Sequence, residues 1–121
     1  MCEYFPVEFE NIVTIDKLYT VHYFCFEPTH KRIDEQHDFW ELVYVDKNEA
    51  YICTSEEKLL LHEGEIILHA PNVIHGIEGN GTTGANIGIV SFSSPSIQLY
   101  CLEHRVLTPN TAQRNILRNI L

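Results

Sequence analysis

Apolar and polar residues alternate with a period of two along most of this chain, in short runs broken by turn-forming residues. Seven runs read as strands: Val21–Phe26, Phe39–Val45, Tyr51–Thr54, Lys58–His62, Glu65–His69, Val73–Ile77 and Ile87–Phe92. They are rich in Val, Ile, Tyr and Phe, which suit a pleated, half-buried surface. Asp46-Lys47-Asn48, Glu63-Gly64 and Ala70-Pro71-Asn72 separate them, and Asn72 is expected in the left-handed conformation that asparagine tolerates. Four glycines between positions 76 and 84 (Gly76, Gly79, Gly81, Gly84) predict a mobile loop. No helical pattern of crossover length lies between the runs, and parallel strands need such a crossover. The pattern therefore predicts an all-β sandwich or barrel.

A chain of 121 residues, 45% hydrophobic and 21% charged, has the size and composition of one globular domain, which excludes a disordered chain. Uncharged apolar stretches such as Tyr23–Phe26 last four residues, far short of the ~18 that a membrane span needs, and no secretory leader is expected. The net charge is −9 and uneven: residues 1–103 hold five basic and 17 acidic groups, whereas 104–121 hold Arg105, Arg114 and Arg118 and no acid. Such a body repels a phosphate backbone, so this piece is expected not to bind nucleic acid by itself. Cys2, Cys25, Cys53 and Cys101 form no CxxC pair, and small, buried, reduced thiols in a cytoplasmic protein are expected.

The last segment changes period. Thr108-Pro109 is the expected start of a helix, with proline at its first position. Ala112, Ile116 and Ile120 then form an apolar stripe, Leu117 and Leu121 lie on the neighbouring line, and Arg114 and Arg118 are expected on the other side. The pattern stops at Leu121 without a cap, so the natural polypeptide is expected to continue; the alternative is that this stripe docks on the sheet and ends there. The organisation that follows is a barrel over residues 1–107 and the start of a helical segment over 108–121. Residues Cys2–Glu10, with Tyr4, Phe5, Val7 and Phe9, are either an ordinary first strand or an arm over the barrel mouth.

Candidate chemistry sits on the second run. Read as one extended strand, Glu35, His37, Phe39, Glu41, Val43 and Val45 face one side and Trp40, Leu42 and Tyr44 the other. The second face needs a cover, from the terminal helix or a second subunit. If the first faces inward, a carboxylate at Glu41 is costly unless it is paired, hydrogen-bonded or bound to a ligand. The bland alternative places Glu41 at a solvated mouth. His75, after the Pro71-Asn72 corner, matters only in combination with His37. The other histidines (His22, His30, His62, His69, His104) receive no role beyond solvation or strand-edge positions.

At this point a resemblance becomes visible. "HDFWELVYV" (His37–Val45) followed by "EGEIILHAPNVIHGI" (Glu63–Ile77) resembles the two cupin motifs. Glu35, His37 and Glu41 stand at the positions of H-x-H-x3-4-E, and Gly64, Ala70, Asn72 and His75 in the register of G-x5-P-x-G-x2-H. Ala70 thus replaces the proline, Asn72 the turn glycine, and Glu35 one expected histidine. Together with "IGIVSFS" (Ile87–Ser93), the wording is similar to the N-terminal sensor domain of AraC-type transcription regulators. The resemblance implies a cupin-type jelly-roll (double-stranded β-helix) barrel with a C-terminal amphipathic helix used for dimerisation. In that family a DNA-binding part follows, which this sequence lacks.

The resemblance implies a ligand-sensing and dimerisation domain of a cytoplasmic transcription regulator. A small metabolite, a sugar among the candidates, would lie inside the barrel against His37, Glu41, His75, Phe39, Val43 and Tyr23. Ile116, Leu117, Ile120 and Leu121 would join two copies, and no cofactor is called for. The alternative from another class is a stand-alone cupin enzyme with a divalent transition metal on Glu35, His37, Glu41 and His75. A third reading is an oligomerisation module whose barrel is filled by its own side chains. Nucleophilic hydrolysis has no support, because no G-x-S-x-G elbow occurs.

Overall fold

In the computed structural model, which describes residues 13–121, seven antiparallel strands form two facing sheets. In chain order they are β1 (Lys17–Phe26), β2 (Trp40–Lys47), β3 (Glu49–Thr54), β4 (Lys58–His62), β5 (Ile66–His69), β6 (His75–Glu78) and β7 (Ala85–Ser93). One sheet has the order β1-β7-β2-β5 and the other β4-β3-β6. A 3-10 helix (Ile97–Cys101) and the helix α1 (Thr111–Ile120) follow. Two facing antiparallel sheets are the expected jelly-roll arrangement. The possible arm Cys2–Glu10 lies outside the described residues.

Alternation fills the space between the sheets. Val43, Val45, Ala50, Ile52, Leu61, Ile67, Ala85 and Ile87 make one buried cluster. Asn72 takes the left-handed conformation expected of it, φ 67°, as does Asn48 at φ 62° in the β2–β3 turn. The expected glycine loop begins inside a strand: Gly76 belongs to β6, and a side chain there would press on the backbone of Ile33.

The outer face of β2 is covered mainly by an element that the period does not reveal. Trp40 packs with Leu68, Ala70, Phe92 and Leu99, the last from the 3-10 helix, and meets the Tyr100 ring edge-on at 4.8 Å. Helix α1 covers the other end. Leu121 lies over Gly88, the register partner of Tyr44, at a place where any side chain would overlap it.

Helix α1 starts later than Thr108-Pro109 suggests. Leu107 exchanges both backbone hydrogen bonds with Ile66, which keeps the chain extended past that point. Asn110 caps instead: its side chain accepts from the Gln113 amide, and Gln113 accepts from the Asn110 amide, a reciprocal capping box. The arginines also depart from expectation, since both reach the body. Arg114 is half-buried beside Gly64, and Arg118 donates to Asp46 at 3.1 Å. Burial alone would raise the Asp46 carboxyl, but hydrogen bonds from Tyr23 and Arg118 outweigh it and hold it below the usual carboxylate range.

The thiols differ from the expected uniform burial. Cys53 is buried and free, Cys25 is free but exposed on the edge strand β1, and Cys101 is disulfide-bonded. Among the described residues no helix is long and apolar enough to cross a membrane.

Candidate functional site

The segment before β2 does not continue that strand, as the parity reading assumed. Glu35 instead exchanges two backbone hydrogen bonds with His75, at 2.8 and 3.0 Å, and the Asn72 amide donates to the His37 carbonyl at 2.7 Å. Residues 35–37 are thereby laid across the corner and the start of β6. Chain crossing, more than strand parity, thus brings Glu35, His37, Glu41 and His75 together, with one ligand atom from each within 4.8 Å of the others.

Glu41, on β2, is 6% exposed. Its Oε2 lies 2.8 Å from His75 Nε2 and its Oε1 3.4 Å from His37 Nε2. The other nitrogen of each ring faces a backbone carbonyl: His75 Nδ1 is 2.8 Å from Val73 O and His37 Nδ1 3.2 Å from Phe39 O. These carbonyls accept from Nδ1–H and so aim both Nε2 atoms at the carboxylate. Burial alone would push the His75 imidazole down. The hydrogen bond to Glu41, aided by the Val73 carbonyl and the charges of Glu41 and Glu35, outweighs it and leaves the pKa raised. The His37 ring stacks on Phe39 at 4.0 Å, and Tyr19 stacks on Phe39 at 4.6 Å.

Two adjoining cavities, of about 220 and 210 Å3, open beside this cluster and share Phe24, Glu35, Glu41 and Ile89. Of the residues expected to touch a ligand, His37, Phe39, Glu41 and His75 line one or both. Val43 does not; it is fully buried in the core cluster below. Tyr23 does not either. It lies on the outer face of β1, where its hydroxyl donates to Asp46 at 2.6 Å. Its neighbour Phe24 faces the cavity instead, with Thr20, His22 and Phe26.

One histidine at the site went unassigned in the sequence. His69 on β5 is the register partner of Glu41, and Ser91 on β7 is its partner on the other side. The imidazole is fully buried, stacked on His75 at 4.2 Å and tilted toward His104 at 5.7 Å. Among the described residues neither ring nitrogen has a hydrogen-bond partner. Burial, and then the neighbouring His75, His104 and His37, push its pKa from 6.5 down to about 3, so it is a neutral ring at ordinary pH. Its alternation with Leu68 on β5 is the one signal that marked it as inward.

Chemically, the site offers a buried carboxylate, two imidazoles aimed at it, a second carboxylate at the rim and hydrocarbon walls. Two imidazole nitrogens and two carboxylates with carbonyl-anchored rings are also a fitting donor set for a divalent transition metal.

Solved structures share the fold. A predicted oxalate decarboxylase from Thermotoga maritima superposes with a TM-score of 0.60 at 17% identity, over 64% of this chain and 68% of that one. A cupin superfamily protein from Desulfitobacterium hafniense gives 0.55 at 18% identity, over 69% and 79%. An RmlC-like cupin from Shewanella frigidimarina gives 0.53 at 19% identity, over 82% and 96%. No curated protein matches the chain. The family model described as "AraC-like ligand binding domain" matches residues 20–120. With nearly the whole barrel and the terminal helix inside that match, the chain belongs to the AraC-like ligand binding domain family.

Proposed function

We propose that the chain is the sensor and dimerisation domain of a cytoplasmic transcription regulator, with a small-molecule effector held in the cavity beside Glu41. The observation that carries this reading is the buried Glu41–His75 pair at the wall of a cavity that is otherwise mostly hydrocarbon. A few aimed polar groups in an apolar cavity are the usual form of a small-molecule site. An effector that binds two states of the domain unequally shifts their populations, and the DNA-binding part that follows in such regulators reads that shift. A sugar is one candidate effector. Calorimetry of the purified chain against pentoses, hexoses and other small metabolites is expected to yield a binder that Glu41→Gln weakens at least tenfold. A binder indifferent to both Glu41→Gln and His37→Ala removes the site assignment.

The second reading is a metal-dependent cupin enzyme, favoured by the convergence of Glu35, His37, Glu41 and His75. A divalent ion there would supply Lewis-acid chemistry, with His37 and His75 held in place by their carbonyl contacts. Elemental analysis of protein purified without a nickel column is expected to give a substoichiometric metal content. One tightly held equivalent, lost in His37→Ala and His75→Ala, favours the enzyme.

Helix α1 supplies the dimer interface in this proposal, through half of the residues the pattern suggested. Leu117 and Leu121 are half-buried toward the body, whereas Ile116 and Ile120 are 60% and 51% exposed. Ile116→Glu together with Ile120→Glu is expected to convert a dimer into a soluble monomer; an unchanged mass by light scattering overturns the interface.

A further inference from the structure

The charges around the cavity are unbalanced. Glu35 and Glu41 line both of its halves, and among the described residues no lysine or arginine lines either. His75 is already the partner of Glu41, so the carboxylate of Glu35 adds a negative charge that no permanent cation of the wall offsets. The other polar wall groups are imidazoles and the hydroxyls of Thr20 and Ser91. An anionic ligand would meet both carboxylates, and their repulsion disfavours it.

The remaining wall is hydrocarbon of a particular kind. Phe24 and Phe26 line it from β1, and Ile33 from the segment that leads into Glu35. Aromatic faces carry negative electrostatic potential and attract a cation laid against them. A bare metal ion leaves these walls unused, and a polyol leaves the charge of Glu35 unmatched. A molecule with a cationic head and a short apolar body uses both. Each half, at about 220 and 210 Å3, is below the ~300–1,000 Å3 of sites for drug-sized ligands, so that molecule is small.

We infer that the cavity selects a small primary amine, its ammonium between Glu35 and Glu41 and its hydrocarbon body against Phe24, Phe26 and Ile33. The inference rests on the sensor reading above and names the chemical class of its effector. Specificity against anions comes from the two carboxylates, and specificity against hydrated ions from the phenylalanine walls.

The test uses the full 121-residue chain stripped of metal with a chelator, at pH 8.0, above the ordinary histidine range. Calorimetry compares phenethylamine, 2-phenylethanol and 3-phenylpropionate, which share a ring and differ in charge. Phenethylamine is expected to bind at least tenfold more tightly than the alcohol, and the propionate not to bind. Added NaCl narrows the gap. Glu35→Gln is expected to close it by weakening amine binding at least tenfold; Glu35 is exposed, so the fold survives. Phe24→Ala weakens amine and alcohol alike. Equal binding of alcohol and amine, a preference for the anion, or no heat from the amine overturns the inference. If a neutral pentose then binds in a Glu41-dependent way, the sensor reading survives without it. If no organic probe binds and Ni2+ takes one equivalent, the sensor reading falls as well.

Discussion

Glu41→Ala is expected to destabilise the domain by about 3–5 kcal/mol, because it leaves one partner of a buried ion pair behind. Glu41 and His75 are both nearly inaccessible and share one 2.8 Å contact. With the carboxylate gone, the His75 Nε2 proton faces a void walled by Ile77 and Ile89. The imidazole must then shed its charge or draw in water. Glu41→Gln keeps the shape and one acceptor, and the loss should be roughly half as large. Replacing both, as Glu41→Leu with His75→Leu, should recover most of the stability, since an apolar pair of similar volume avoids the desolvation of two charges. The single tryptophan, Trp40, is buried one residue from Glu41 and reports urea unfolding by fluorescence. A loss below about 1 kcal/mol in Glu41→Ala would mean that the pair is solvated in solution and that the site is looser than described.

His69→Leu is expected to remove most of the domain's sensitivity to mild acid. The native ring stays neutral down to about pH 3, whereas an unfolded histidine takes a proton near 6.5. The unfolded state therefore binds the extra proton, and stability falls as pH drops from 6.5 toward 3. Across that window the loss amounts to roughly 4–5 kcal/mol at 1.36 kcal/mol for each pH unit. His75 works in the opposite sense: its folded pKa is raised, so its contribution is full at low pH and is lost as pH rises through that value. The groups facing His69 are His75, His104 and His37, with Glu41 across the strand pair, and all of them are retained in the variant. Urea midpoints of wild type and His69→Leu from pH 8 to pH 4 check this. Wild type should decline on the acid side, whereas the variant should hold or gain stability there as His75 takes its proton; parallel curves would show that other groups govern acid unfolding. The variant should also gain stability at neutral pH, because two buried ring nitrogens without partners are replaced by hydrocarbon.

Both results bear on how the site is held. Glu41 sits between His69 and Ser91 across three paired strands, so its position is set by the ladders of β2 with β5 and β7. His37 and Glu35 are set instead by hydrogen bonds to the Asn72 corner and β6. A ligand that displaces His37 would therefore load the corner rather than the sheet. Helix α1 is fastened to the same strand further along, where Arg118 and Tyr23 share Asp46.

The sequence alone was enough for the all-β class, for most strands to within a residue or two, for the left-handed Asn72 and for singling out His37, Glu41 and His75, which the fold brings together. Each of these is a local property: a period of two, a turn chemistry, or a motif spacing. What it left open was settled by partners distant along the chain. Tyr23 and Phe24 read alike on β1, because an edge strand bearing aromatics on both faces carries no parity signal, and only pairing with β7 decided which one faces the cavity. His69 became a site residue through its register with Glu41, 28 residues earlier in sequence number. The cover over Trp40 came from a 3-10 helix too short to have a period, and the arginines of α1 reach the body at Asp46 and Gly64, far from them in sequence. Alternation along a strand specifies two faces but not which one lies inside. That choice is made by the free energy of burying one face against strands the local pattern cannot see, and it moves every side chain at once when it is made.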